Sequence, residues 1–217
     1  MFVGHYGPSF LAQGAKRQVP LWILFVAVQW LDFVWAALVL LGIEKVRIVP
    51  GFTAASPLDL YYMPYDHSLP AALIWSILLG AAYYLWRPQQ GRNAALIVAA
   101  AVFSHWVLDL VVHTDDLAIW DNHIKVGLGL WNYPIAACIV ESTILLGGFL
   151  LSPHVRRIGA WALVAGLLLL QGGRLLTHST PSSATSAAIT LLVAYTVLAL
   201  LAALVDRRRD VASNRLG

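Results

Sequence analysis

The chain has 217 residues, of which 59% are hydrophobic and 12% are charged, with a mean hydropathy of +0.73. A soluble domain contains roughly 25% charged residues, so this composition predicts an integral membrane protein. A net charge of +3 indicates no nucleic-acid partner, and the single cysteine, Cys138, excludes an intramolecular disulfide and a cysteine-based zinc site.

Apolar segments near the length of a membrane span follow one another along the chain. They cover residues 20–42, 69–86, 94–113, 134–151, 159–177 and 187–205. Crossing a hydrocarbon core of about 30 Å takes about 20 helical residues. The sequence therefore predicts an all-α, polytopic membrane protein with about six transmembrane helices, forming a single domain over 1–217. Within it we predict a metal-site half (1–135), accessory helices (136–205) and a basic tail (206–217).

The distribution of lysine and arginine predicts the orientation. Ten of these residues lie in the N-terminal segment, in the second and fourth connections and in the tail, and four lie on the other side. The positive-inside rule then places the C-terminus in the cytoplasm and connections 43–68 and 114–133 outside. In a bacterial inner membrane the outside is the periplasm. Membrane lipids are the expected partners, and the pattern leaves the oligomeric state open.

The N-terminal segment has two interpretations. Residues 8–18 could form a short helix, because Pro8 suits a first turn and Pro20 forces a break. If this helix is re-entrant, His5 returns to nearly the depth of Asp32. The alternative is an interfacial amphipathic helix that lies on the membrane surface.

The strongest chemical signal lies at the end of the third apolar segment. His105, Asp109 and His113 are spaced four residues apart, so they share one face of a helix. Ionisable groups within a membrane span are costly and usually mark a site or a pathway. Imidazole and carboxylate together suit zinc, and also manganese or iron. This stretch therefore predicts a metal site.

Further candidates converge on the same level of the membrane. Asp32 is the only charged residue of the first segment, and Asp66-His67 immediately precedes the second. The predicted topology brings them to the outer half of the bilayer, beside the end of the third segment. The predicted metal ligands are His5, Asp32, His67, His105 and Asp109. Asp66 or His113 would be the general acid or base, although His113 could equally be a ligand or face the substrate. The alternative for the cluster is a set of polar helix-packing residues.

Two charged residues stand alone in later segments. Glu141 and Arg174 could form a structural ion pair. Alternatively, Arg174 could face an anionic group of a substrate together with Gln171 and His178.

Four short motifs in order carry a family resemblance: His5-Tyr6-Gly7-Pro8, Asp32, His67-Ser68 and Ser104-His105-x3-Asp109. They resemble a bacterial inner-membrane family described as metal-dependent hydrolases, distantly like zinc-dependent phospholipase C. The resemblance covers about residues 1–135 and implies the re-entrant placement of His5. Some members carry a second acid where this chain has Phe33-Val34-Trp35, and another histidine where it has Tyr62.

The expected function is hydrolysis by a metal-activated water near the outer leaflet. A phosphoester or a lipid ester is the expected substrate, by analogy with the family and because the site would lie at headgroup depth. Two alternatives use the same residues. One is a metal-ion or small-solute transporter, and the other is a non-catalytic membrane scaffold.

Overall fold

A computed structural model describes residues 1–15, 18–152, 155–177 and 180–213, with side chains to Asp206. Lys16, Arg17, His154 and His178 lie outside the described residues. Helices account for 69% of the structure and strands for 8%. The helices are α1 Tyr6–Ala15, α2 Leu21–Val28, α3 Trp30–Leu40, α4 Leu69–Trp86, α5 Gly91–Val112, α6 Pro134–Leu150, α7 Ile158–Thr177 and α8 Ala184–Ser213. Short 3-10 turns cover Val3–His5, Pro88–Gln90 and Leu130–Asn132.

Four helices within the described ranges, α4, α5, α7 and α8, are long and apolar enough to cross a membrane. Helices α2 and α3 would add a fifth span if the bent pair is counted as one. Helix α6 is apolar but has only 17 residues. These lengths and compositions indicate a membrane protein, with four or five candidate spans where the sequence predicts about six.

The first apolar segment is broken instead of forming the single helix predicted over 20–42. Helices α2 and α3 meet at Gln29 with a bend of 53°. The carbonyl of Val28 accepts a hydrogen bond from His105 Nδ1 at 2.7 Å, and Gln29 Nε2 donates to the Phe2 carbonyl at 3.4 Å. The bend thus occurs where polar groups of the helix bond to other parts of the chain.

The structure is mostly helical, and two β-hairpins in the long connections add strands that the sequence did not predict. Strands β1 Lys45–Ile48 and β2 Leu58–Tyr62 pair antiparallel in the first long connection. Strands β3 Leu117–Trp120 and β4 His123–Val126 pair antiparallel in the second. Lys125 Nζ donates to the Tyr61 carbonyl at 2.7 Å, which joins the hairpins. They form a cap over one end of the helices, because both connections leave the bundle there.

Helix α1 packs against α2 and α6. The ring of Phe10 lies 5.6 Å from that of Phe25 and 5.3 Å from that of Phe149. The backbones of α1 and α6 come into direct contact, because a Cβ on Gly148 would lie 2.1 Å from the Gly7 carbonyl oxygen. Small residues permit such close approach of helices in membrane proteins. This contact places His5 in the interior, where it is fully buried.

Helix α8 continues past the predicted start of the basic tail. Asp206 accepts hydrogen bonds from Gln13 Nε2 and from the backbone N–H of Trp22, both at 3.2 Å. Asp206, the first residue of the predicted tail, thus ties α8 to α1 and α2. The predicted basic residues from Arg207 onward lie beyond the described side chains.

Candidate metal centre

Four side chains from three parts of the chain meet at one point: Asp32 of α3, His67 before α4, and His105 and Asp109 of α5. His67 Nε2 lies 3.3 Å from His105 Nε2 and 3.5 Å from Asp32 Oδ1. It also lies 3.5 Å from Asp109 Oδ2. His105 Nε2 lies 3.6 Å from Asp32 Oδ1 and 3.0 Å from Asp109 Oδ2. Thus five of the six distances among these four atoms lie between 3.0 and 3.6 Å.

The three distances among Asp32, His67 and His105, which lie between 3.3 and 3.6 Å, match the ligand spacing of a tetrahedral metal site. Zinc binds histidine nitrogen and carboxylate oxygen at about 2.0–2.2 Å, which sets neighbouring tetrahedral ligands about 3.3–3.6 Å apart. The same ligand types suit manganese and iron. The buried histidine and aspartate side chains could therefore hold a divalent metal ion.

Hydrogen bonds at the Nδ1 atoms of two imidazole rings orient their Nε2 atoms toward the centre of the cluster. His105 Nδ1 donates to the Val28 carbonyl, which can only accept, so the Nε2 lone pair of a neutral His105 faces the cluster. His67 Nδ1 bonds to Asp66 Oδ1 at 2.6 Å. Trp106 Nε1 donates to the His67 carbonyl at 2.9 Å and steadies the backbone there. Such partners orient metal-binding histidines and raise their basicity.

His5 reaches the cluster from the other side of His105. The two rings stack with centroids 3.9 Å apart, and His5 Nε2 lies 3.1 Å from Asp109 Oδ1. His5, His105 and Asp109 form a second triad whose ligand atoms lie within 4.8 Å of one another. The backbone nitrogen of Met1 also donates to Asp109 Oδ1. Asp109 therefore faces His5 with one oxygen, and His67 and His105 with the other.

The two predicted proton-transfer residues occupy different positions. His113 lines a cavity beside the cluster, with Nδ1 bonded to Asp116 Oδ1 at 2.9 Å and Nε2 3.7 Å from Asp109 Oδ2. Asp66 lies behind His67 and is not among the residues that line this cavity. The direct acid–base role predicted for Asp66 does not fit this position, because His67 stands between its carboxylate and the centre. Asp66 instead orients His67.

Glu44 is a buried acid that sequence reasoning missed, since one acid in a loop has no spacing signal. Its Oε1 accepts from the Tyr65 N–H at 2.8 Å. Glu44 Oε2 and Asp66 Oδ2 are both buried without a hydrogen-bond partner. Burial, together with the negative charge of Asp66, raises the pKa of Glu44 from 4.5 to about 9. Glu44 is therefore protonated at neutral pH and can donate to Asp66.

Tyr195 was also not predicted as a residue of the site, although it is the only aromatic residue of α8. Its hydroxyl donates to Asp32 Oδ2 at 2.6 Å, and the side chain is buried. This bond orients Asp32 while its other oxygen faces His67 and His105. Tyr195 belongs to the predicted accessory helices, so the site extends beyond the predicted metal-site half.

Two carboxylates of the cluster are largely buried without a lysine or arginine partner. Asp109 is 2% exposed, and the Asp32 side chain is 16% exposed. Among the described residues, no lysine or arginine forms an ion pair with either carboxylate, and the only basic groups at ion-pair distance are the Met1 nitrogen and histidines. Buried carboxylates are costly unless they are paired or bind a metal. A divalent cation would balance both.

A cavity of about 70 Å³ adjoins the cluster. Its polar wall includes Asp32, His67, Asp109 and His113. The apolar side is formed by Trp35, Leu58, Leu60, Met63, Trp131 and Leu191. A water molecule takes up about 30 Å³ in the liquid, so the cavity has room for a water beside a small reacting group.

The structure does not form the ion pair considered for Glu141 and Arg174. Glu141 Oε2 instead accepts from the backbone N–H groups of Phe2 at 2.8 Å and Gly4 at 3.3 Å. Arg174 places its guanidinium 4.9 Å from the centre of the Phe2 ring. Within the described ranges it has no acidic partner at ion-pair distance.

Fold and site together define a mostly helical protein with four or five candidate membrane spans and a buried histidine–aspartate cluster able to hold a metal ion. Comparison with known proteins finds no matching family model, curated protein or solved structure. Evidence for the function therefore comes from the site itself.

Proposed function

We propose that this protein is an integral-membrane, metal-dependent hydrolase that cleaves a phosphoester or a lipid ester near the outer leaflet. The observation that carries the proposal is the close set of Asp32, His67 and His105, which could hold a metal ion, with Asp109 beside it. A cavity beside these side chains leaves space for a water and a substrate group. Metal sites with three protein ligands and an open position for water are typical of catalysis.

The membrane placement is part of the proposal. Helices α2 and α3 form one broken span, α6 crosses as a short span, and α1 is re-entrant, as the burial of His5 and Phe10 supports. The lysine and arginine distribution supports a cytoplasmic C-terminus and a hairpin cap in the periplasm of a bacterial inner membrane. The ordered motifs of the sequence support the resemblance to inner-membrane metal-dependent hydrolases.

When bound, a divalent zinc, manganese or iron ion would lower the pKa of a water towards about 7 and polarise the ester. With Nδ1 bonded to Asp116, His113 would take a proton from the attacking water at Nε2 and return it to the departing oxygen, because it lines the cavity. Asp66 and Tyr195 keep His67 and Asp32 in the geometry of the cluster.

Elemental analysis of detergent-purified protein tests the metal site. Wild type should contain about one or two equivalents of zinc, manganese or iron. His105→Ala and Asp109→Ala should both lose the metal. His123→Ala is the matched control, because His123 has a side chain that is 79% exposed on the cap. A folded wild-type protein that holds no metal after reconstitution would refute the proposal and leave a scaffold.

Turnover separates the remaining functions. His113→Gln should keep the metal and lose hydrolysis of a phosphoester or lipid ester in a substrate screen. Metal flux in sealed vesicles without hydrolysis would instead identify a transporter.

A further inference from the structure

Arg174 is the only charged residue of α7, a helix that could span a membrane. Its guanidinium lies over the Phe2 ring. Because the described residues offer it no acidic partner, its positive charge remains available to a ligand. An arginine in an apolar span commonly serves a substrate pathway, or it extends to the interface as an anchor.

The position of Arg174 favours a role in binding a ligand over a role as an interfacial anchor. It lines the cavity of the metal centre together with His67 and Asp109. It also lines an adjoining space of about 40 Å³ with Trp131, and a space of about 240 Å³ with Ser56 at the hairpin cap. Trp131 and Ser56 are shared with the cavity of the metal centre. Arg174 therefore stands where that cavity meets the spaces under the cap.

The charges at this site determine which class of ligand could bind there. A divalent metal ion would offset the carboxylates of Asp32 and Asp109, and no acid among the described residues lies at ion-pair distance from Arg174. A guanidinium binds two oxygen atoms of a phosphate at once, whereas a neutral carboxylic ester offers it no anionic oxygen.

We propose that Arg174 binds the anionic oxygen atoms of a phosphoryl group in the metal-site cavity, so that the substrate is a phosphate ester. This inference rests on the proposed hydrolase function and selects between its two substrate classes. The apolar wall of the cavity, with Leu58, Leu60 and Leu191, suits an apolar group attached to the phosphate.

Calorimetric titration with inorganic phosphate tests this assignment in full-length protein, both metal-loaded and metal-free. Arg174→Gln should weaken phosphate binding about tenfold or more, and Arg174→Lys should weaken it less. Metal content should stay unchanged in both variants. Arg92→Gln is the matched control, because Arg92 is also exposed on an apolar helix but lies at the opposite end of α5 from His105.

The outcomes separate this inference from the proposed function. Equal phosphate affinity in Arg174→Gln and wild type, with the metal retained, would overturn the inference and leave Arg174 as an interfacial anchor. No phosphate binding in either metal state would overturn it too. If wild type holds no metal, the hydrolase proposal fails, whereas phosphate binding that still depends on Arg174 would support the anion site.

A second titration identifies the source of the phosphate. Dihexanoyl phosphatidic acid is compared with inorganic phosphate, below its micelle-forming concentration. Tighter binding of the lipid that is lost in Arg174→Gln supports a lipid headgroup. Equal binding of both, also lost in the variant, supports a small phosphate ester.

Discussion

The contact between Gly7 of α1 and Gly148 of α6 permits a direct test of how His5 reaches the centre. A Cβ on Gly148 would lie 2.1 Å from the Gly7 carbonyl oxygen and 2.6 Å from the carbonyl carbon. Ordinary contacts of a Cβ begin near 3.4 Å, so Gly148→Ala must move the two backbones apart by more than 1 Å. The displacement would carry α1, and His5 with it, away from Asp109.

Overpacking of this kind costs about 1–3 kcal/mol, and here the clash is with backbone that cannot rotate away. The neighbouring residue is the control, because a Cβ on Gly147 meets nothing within 4 Å. Gly147→Ala should be neutral, or stabilising by up to about 1 kcal/mol through helix propensity. Two alanine substitutions one residue apart should therefore have clearly different effects.

Thermal unfolding in detergent micelles, followed by metal analysis, measures this difference. Gly148→Ala should unfold at a lower temperature than Gly147→Ala and bind metal more weakly. If the two variants are equally stable and bind metal equally well, α1 does not pack on α6 as described, and the metal site does not depend on that contact.

Two further predictions concern the acids behind His67. Glu44 has a pKa of about 9 when folded and near 4.5 when unfolded, so its contribution to stability falls as pH rises between these values. Glu44→Gln should therefore stabilise the protein by about 1–3 kcal/mol at pH 8 and little at pH 5, as measured by thermal unfolding; an equal change at both pH values would contradict this. Asp66→Asn should weaken metal binding about 10–100-fold in chelator competition, whereas exposed Asp115→Asn should not; unchanged affinity would remove Asp66 from the support of His67.

The sequence by itself determined which segments are helical and which two residues of the site share one helix face. Long apolar segments form helices because only a helix satisfies its own backbone polar groups in lipid. The spacing of His105 and Asp109 then puts both on one face of α5, since four residues make about one helical turn.

Only the tertiary structure decided how the cluster is completed. The bend at Gln29 cannot be read from its segment, because it coincides with a hydrogen bond between Val28 and a histidine 77 positions away. The bond from Tyr195 to Asp32 spans 163 positions. The periodicity of a sequence identifies only residues that are neighbours within one helix or strand. The contacts that orient the metal ligands form only when distant segments of the chain pack together.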